Sequence, residues 1–114
     1  MRVLFWSEAF PPSMGGVEIL AAEFLDAMSQ RGYEIAIIAP RDPNASTDDF
    51  HGVPIHRLPF QSVLESRAVD RFAALIQQLR QIKREFDPDL VHIFHVGAGL
   101  FFHLQTIKFN FDLK

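Results

Sequence analysis

The chain has 114 residues, enough for one domain, and 48% of them are hydrophobic, so a buried core is expected and disorder is not. A formal net charge of −3 argues against a nucleic-acid-binding protein, which would need an excess of Lys and Arg to neutralise phosphates. Because cysteine is absent, disulfides and thiolate metal sites are excluded. No apolar run reaches the roughly 18 residues that span a bilayer, and no signal peptide is evident. A soluble, cytoplasmic protein is therefore expected.

The first 40 residues predict a strand, a loop, a helix and a second strand. Residues 2–6 (RVLFW) are almost continuously apolar, as in a strand buried on both faces. The stretch EAFPPSMGGVE follows, and apolar residues then recur at helical spacing from Val17 until Gly32 supplies the stop. Residues 34–39 (EIAIIA) predict a second buried strand, which Pro40 closes.

The rest of the chain continues this alternation. Residues 41–49 (RDPNASTDD) have the composition of a loop, and residues 53–58 (VPIHRL) predict a short strand. Pro54 places that strand at an edge or leaves it paired on one side only, because proline cannot donate to the ladder. Residues 66–86 predict a helix that ends before Pro88, and residues 89–94 (DLVHIF) predict a further buried strand.

A short helix over LFFHL, after Gly97-Ala98-Gly99, completes the predicted elements. Apolar strands that alternate with helices predict an α/β, Rossmann-like doubly wound fold with a mainly parallel sheet. In such sheets ligands bind outside the carboxyl ends of the strands, where the strand order reverses. The first loop between a strand and a helix is the usual place, and here it is EAFPPSMGGVE.

Gly15 and Gly16 stand where this loop enters the helix. A helix N-terminus has unpaired N–H groups and a partial positive charge, and glycine allows a phosphate to approach them closely. An equally simple interpretation is that the two glycines only form a tight turn. The spacing matches neither G-x-G-x-x-G nor a P-loop, so neither a dinucleotide site nor a nucleoside triphosphatase follows. Glu18 lies in the first turn, where its carboxylate interacts favourably with the helix dipole or caps a free N–H. Direct contact with a ligand is the alternative.

Two histidines, His92 and His95, belong to the last predicted strand. Residues three apart on a strand face opposite sides, so the pair cannot chelate one metal ion. His92 shares a face with Leu90 and Phe94, which favours a core histidine held by hydrogen bonds. His95 falls at the carboxyl end of the strand, where a ligand can reach it.

The remaining titratable residues suggest no site. The other histidines, His51, His56 and His103, have no partner at a useful spacing. Asp48-Asp49 is interpreted as a solvated pair in a flexible loop. The basic residues of the 66–86 helix are assigned to its solvated face. They are Arg67, Arg71, Arg80, Lys83 and Arg84.

Taken together, the segments FPPSMGGVE, RGYEI, IIAPRD, HGVPIHRLP and FDPDLVHIFH resemble the amino-terminal part of a family 4 glycosyltransferase of the GT-B fold. The resemblance covers about residues 1–106. It implies two Rossmann-like halves that face each other across a cleft. The amino-terminal half receives mainly the acceptor, and its glycine loop approaches the diphosphate of a nucleotide-sugar.

By this resemblance, Gly15 and Gly16 contact the donor phosphates, and a histidine at the strand end, His95 or His92, lines the cleft near the transferred sugar. The reaction implied is glycosyl transfer with retention of configuration, with no cofactor and no metal. The family often places a second histidine two residues after the first, but Phe94 stands there, so the choice between His92 and His95 stays open.

The carboxyl-terminal half of such an enzyme would hold most of the donor, and this half is expected to be missing from the chain. Residues 107–114 (IKFNFDLK) alternate apolar and polar side chains, which predicts an extra edge strand or an atypical tail from a truncated or shifted reading frame. Residues 1–106 are therefore expected to form an incomplete acceptor-side domain that is inactive alone. The alternative is a non-catalytic Rossmann-like module that pairs with a partner through exposed apolar surface. A dinucleotide-dependent oxidoreductase is disfavoured, because Pro40 ends the second strand in place of an acidic ribose ligand.

Overall fold

The order of strands and helices follows the prediction closely. The computed structural model describes residues 1–7, 16–42, 49–50, 52–95 and 97–107. Within these ranges the elements are β1 (Arg2–Ser7), α1 (Gly16–Gln30), β2 (Glu34–Pro40), β3 (Asp49–Phe50), β4 (Val53–Leu58), α2 (Phe60–Ser66), α3 (Val69–Phe86), β5 (Leu90–His95) and α4 (Ala98–Gln105). The predicted α/β, Rossmann-like class is confirmed. Residues 108–114 of the predicted tail strand lie outside the described ranges, and Ile107 belongs to no element.

The described strands form one sheet in the order β3-β4-β2-β1-β5. β1 pairs in parallel with β2 and with β5, and β2 pairs in parallel with β4. The prediction that Pro54 places β4 at an edge is wrong in detail, because the two-residue strand β3 pairs antiparallel with β4. Pro54 faces Asp49 of β3 and precedes the parallel ladder to β2, which starts at the Ile37–Ile55 pair. The missing N–H of the proline therefore costs no bond in that ladder.

The same strand corrects the assignment of Asp48-Asp49 to a flexible loop. Asp49 begins β3, while Asp48 lies outside the described residues. Composition suggested a loop because Asn, Asp, Ser and Pro cluster just before this point. Pairing with β4 overrides that local preference.

Alternate residues of the central strands supply two separate cores. Leu4 and Trp6 of β1 pack on the face that α2, α3 and α4 cover. Val3 and Phe5 pack on the opposite face, which α1 covers. Burial on both faces explains why these strands are apolar without alternation.

The predicted helix over residues 66–86 is α3, which begins at Val69, and the separate helix α2 that precedes it was not predicted. Phe60 and Val63 of α2 are buried, but seven residues are too few to show a helical period clearly. Arg67 separates the helices in the left-handed conformation, at φ 54°, and its N–H donates to the Leu64 carbonyl at 3.4 Å. A side chain other than glycine at positive φ is uncommon, so local propensity does not anticipate this break.

Two other helix ends follow the prediction. Gly32 has φ 84° just after α1, and its N–H donates to the Ser29 carbonyl at 3.0 Å. Asp87 ends α3 directly before Pro88, and its N–H donates to the Lys83 carbonyl at 2.8 Å.

We expect Phe102→Ala to lower the free energy of unfolding by about 3–5 kcal/mol, because Phe102 is 0% exposed and its removal leaves a cavity. Its ring lies 5.1 Å from that of Phe72 and 5.5 Å from that of Phe60. The neighbouring Phe101 is 46% exposed and is a matched control, for which Phe101→Ala is expected to cost about 1 kcal/mol. Urea denaturation followed by circular dichroism measures both, and equal losses would contradict the packing described here.

Candidate functional site

The connections of the sheet place the candidate ligand-binding edge at the carboxyl ends of β1 and β5. From β1 the chain proceeds outward to β2 and β4, and α3 then returns it to β5 on the other side of β1. The strand order therefore reverses at this pair, and ligands of doubly wound sheets bind outside the carboxyl ends at such a point. There Ser7, the last residue of β1, is paired with His95, the last residue of β5, after a register shift. α1 begins at this edge on one face, and α4 begins at it on the other.

One of the two predicted phosphate-binding glycines, Gly16, lies at the start of α1. Gly16 is the first residue of that helix, one residue earlier than the predicted start at Val17, and Gly15 lies outside the described residues. Glu18 is in the first turn as predicted, while its side chain lies outside the described part of the structure. The N–H groups of this first turn face the carboxyl edge, because α1 runs antiparallel to β1 as a crossover helix. The contact between the glycines and a phosphate stays a prediction.

His92 takes part in an aromatic stack in the middle of β5. Its ring lies 5.0 Å from that of Phe24 on α1 and 5.7 Å from that of Phe5, its register partner on β1. Phe94 contacts both phenylalanines on the same face, as the predicted sharing of a face between residues 92 and 94 requires. Within the described residues no hydrogen bond reaches the His92 ring, so aromatic packing holds it and the predicted hydrogen bonds are not observed. The half-buried imidazole packs as one of the rings that border the core on the α1 side.

His95 occupies the position predicted for it, at the carboxyl end of β5. Its side chain lies outside the described part of the structure. The backbone alone separates the two candidates: His95 ends the strand at the ligand-binding edge, and His92 lies three residues earlier, toward the opposite edge.

A buried polar cluster, which the sequence did not suggest, joins α3 to α4. The ammonium of Lys83 donates to Oγ1 of Thr106 at 2.7 Å, and it lies 2.8 Å from Nδ1 of His103 and 3.5 Å from the Thr106 carbonyl oxygen. It also lies 5.5 Å from the centre of the Trp6 ring, a cation–π contact, and the His103 ring meets the same indole edge-on. Two assignments are therefore wrong: Lys83 is half-buried and not on a solvated face, and His103 does have partners.

Burial shifts both titratable groups of this cluster. It lowers the pKa of Lys83 to about 8, from an ordinary value of 10.5. Burial and the neighbouring Lys83 charge lower the pKa of His103 to about 4, from 6.5. At neutral pH, His103 is thus an uncharged acceptor and Lys83 a cation. The spacing of residues along the helices does not predict this cluster, because Lys83 is twenty or more residues away from His103 and Thr106 in the chain.

The other histidines add no site within the described residues. His56 on β4 is half-buried, and burial lowers its pKa while the charge of Glu85 opposes the shift. His51 lies outside the described residues. Where the structure describes the chain, no group of three His, Cys, Asp or Glu side chains is close enough to bind one metal ion. None of the helices in those ranges is long and apolar enough to cross a membrane.

The Lys83 cluster predicts that stability rises with pH in two windows. Between pH about 4 and 6.5 the unfolded chain binds a proton at residue 103 that the folded chain does not, so the free energy of unfolding falls as pH falls. Between pH about 8 and 10.5 the unfolded chain likewise keeps a proton at residue 83 that the folded chain has lost. The free energy of unfolding therefore rises as pH rises in this window.

Urea denaturation across pH 4–10 tests this by comparing the wild type with two variants. His103→Gln keeps an acceptor for Lys83 and is expected to remove the residue 103 contribution below pH 6.5. Lys83→Met keeps the length of the stem and is expected to remove the rise above pH 8. If the free energy of unfolding of both variants depended on pH as it does in the wild type, the described cluster would be contradicted.

Comparison with known proteins agrees with the resemblance that the sequence motifs carry. The family described as Glycosyltransferase Family 4 matches residues 14–111, which is most of the chain. Neither a curated protein nor a solved structure matches it. The match covers α1, the strands from β2 to β5 and α4, and so includes the elements that form the candidate site around Gly16 and His95. The chain therefore belongs to glycosyltransferase family 4.

Proposed function

We propose that this chain is the acceptor-side part of a retaining glycosyltransferase that transfers a sugar from a nucleotide-sugar. The observation that carries the proposal is the position of the α1 start, at Gly16, beside the end of β5, at His95, where the strand order reverses. A donor diphosphate at the α1 start and a sugar near His95 would then share one edge of the sheet.

The proposed role of this edge is to stabilise the leaving group of the transfer. In the transfer, the bond between the sugar and the diphosphate breaks, and a bond to an acceptor hydroxyl forms. The nucleoside diphosphate leaves with the bonding electron pair, and one of its phosphate oxygens accepts the proton that the hydroxyl loses. Backbone N–H groups at a helix N-terminus stabilise negative charge that grows on the leaving phosphate. Gly15 and Gly16 would let that phosphate approach because neither has a side chain.

The proposal assigns the cleft histidine to His95 in preference to His92. Phe5 and Phe24 stack against the His92 ring and cover part of it, and this ring lies in the middle of the strand and not at its end. The backbone of His95 lies at the end of β5, at the edge of the sheet where the donor is proposed to bind. A metal is not assigned any part in this proposal, and neither histidine is proposed as a ligand.

An assembly module without catalytic activity is the second candidate. Exposed apolar side chains favour it, among them Leu90 at the start of β5 and Leu104 on α4. Such side chains occur at interfaces between proteins. Size-exclusion chromatography with light scattering separates the two candidates, since a stable monomer at micromolar concentration speaks against a partner-seeking module.

We expect inorganic pyrophosphate and nucleoside diphosphates to bind the chain, and Gly15→Ala/Gly16→Ala to weaken this binding by about tenfold, because methyl groups would hold the phosphates away from the N–H groups. Alanine favours the helix, so the fold is expected to persist. Gly97→Ala is the matched control, since Gly97 precedes α4 in an extended conformation, at φ −164°, that any residue adopts. Titration calorimetry measures all three proteins. Equal affinities in the double variant and the wild type would remove the glycines from the proposed site.

Residues 1–114 by themselves are expected to transfer no sugar, because the resemblance assigns most donor contacts to a carboxyl-terminal half outside these residues. Release of nucleoside diphosphate from a panel of nucleotide-sugars, with and without simple sugar acceptors, measures this. Turnover well above the uncatalysed rate would refute the division of labour that we propose.

A further inference from the structure

An apolar pocket opens where α2, α3 and α4 meet. Its volume is about 280 Å³, close to the lower end of the range for small-ligand pockets, about 300–1,000 Å³. Apolar side chains and the Arg67 side chain form its lining. The apolar residues are Val63, Leu64, Ala68, Val69, Phe72 and Phe101.

The pocket lies toward the same edge of the sheet as the candidate site. α2 follows the carboxyl end of β4, and α4 follows the carboxyl end of β5. α3 starts at the pocket with Val69 and runs its 18 residues to the opposite edge, where β5 begins. A ligand with one end in the pocket can therefore extend toward the edge where the glycosyl donor is proposed to bind.

Its apolar walls are open to solvent to an unusual degree. Val69 is 82% exposed and Phe101 is 46% exposed. Phe72 supports this surface from below, with its ring 5.6 Å from that of Phe101. Apolar side chains exposed together in a concave surface mark a place where an apolar ligand group gains free energy by leaving water.

Two arginines beside the apolar walls indicate that the ligand also carries negative charge. Arg67 lines the pocket, and Arg71, the third residue of α3, lines an adjoining depression that shares Val63 with the pocket. Neither guanidinium forms an ion pair with a carboxylate in the described part of the chain. An uncompensated guanidinium binds phosphate well, because its planar donors match two phosphate oxygens. An apolar chain next to a phosphate therefore complements this surface.

We propose that the pocket between α2, α3 and α4 binds the hydrocarbon chain of a phosphate-bearing lipid acceptor, with Arg67 receiving the phosphate. This inference rests on the proposed function, because it names the class of acceptor for the same edge of the sheet. The left-handed backbone at Arg67 brings a cation to the pocket wall in place of the glycine that such a turn would otherwise favour. The small volume suits part of a single chain; a helix about 10 Å across would not enter it.

Dodecyl phosphate below its critical micelle concentration is a suitable probe, and titration calorimetry with the purified chain measures its binding. We expect saturable binding of one molecule per chain, and none detectable for inorganic phosphate at the same concentrations. Val69→Asp is expected to weaken the binding of dodecyl phosphate at least tenfold, because it places a carboxylate in the apolar wall. The fold should persist, since an acidic side chain at the first position of a helix interacts favourably with the helix dipole. Leu104→Asp, at another exposed apolar position on α4 outside the pocket lining, is the matched control and is expected to change nothing.

Arg67→Asn tests the charge separately, because asparagine tolerates the left-handed conformation. It is expected to weaken binding of dodecyl phosphate about fivefold or more and to leave binding of dodecyl maltoside, which has a neutral head group, unchanged. Affinity unaffected by Val69→Asp would overturn the assignment of the pocket. Binding to phosphatidic acid vesicles without binding of monomeric dodecyl phosphate would overturn it in favour of a membrane surface, and a dimer dissociated by Val69→Asp would do so in favour of self-association.

The pyrophosphate titration described above is independent of these measurements. A chain that binds pyrophosphate through its glycines and ignores dodecyl phosphate retains the proposed function and loses only this acceptor class. A chain that binds dodecyl phosphate and ignores pyrophosphate has the lipid pocket without the proposed donor site.

Discussion

The structure depends on a central strand that is buried on both of its faces. β1 pairs with β2 on one side and with β5 on the other, and its alternate side chains enter two different cores. Trp6 fills one core together with Phe60 and Phe102, while Phe5 fills the other with Phe24 and His92. Burial of aromatic side chains contributes a large share of the hydrophobic free energy in so small a domain. α1 and α4 are both packed against this strand, so its position also sets the two helix starts at the candidate site.

The two faces of the sheet are stabilised in different ways. On the α1 side the described core contacts are apolar and aromatic, with His92 as one of the rings. On the other side the Lys83 ammonium lies among Trp6, His103 and Thr106 and joins α3 to α4. A half-buried cation with no carboxylate beside it among the described residues costs free energy of desolvation, which its hydrogen bonds offset only in part. What it adds is geometry, because directional bonds fix α4 against α3 where apolar packing alone would allow sliding.

This geometry matters for function, since α4 carries one wall of the apolar pocket and begins beside the end of β5. The family match includes elements that form this edge, and in the proposed function the start of α1 at Gly16 receives the donor diphosphate. The acceptor is the least constrained part of the chemistry. In the acceptor site that we propose, the apolar pocket with an arginine in its wall favours a molecule that is apolar at one end and anionic nearby.

Much of the fold could be read from local patterns. Continuous apolar runs identified β1, β2 and β5, and the period of α1 with Gly32 at its end identified that helix. These signals depend on neighbours within one or two turns, which is why they are visible in a single sequence. Family motifs likewise placed Gly16 and His95 at element ends, where the backbone has them. Local patterns did not reveal β3, because a two-residue strand exists only through its partner β4.

What the sequence determined by itself was therefore the order of the elements, the α/β class and the family, since apolar periods, turn residues and short motifs are local properties. Only the tertiary structure decided that Arg67 separates α3 from an unpredicted helix α2, that His92 stacks on aromatic rings, and that the half-buried Lys83 and His103 are partners. Each of these depends on residues far apart in the chain, or on a backbone conformation that local propensity disfavours. The free energy that selects them comes from packing, which becomes defined only once the helices lie on the sheet.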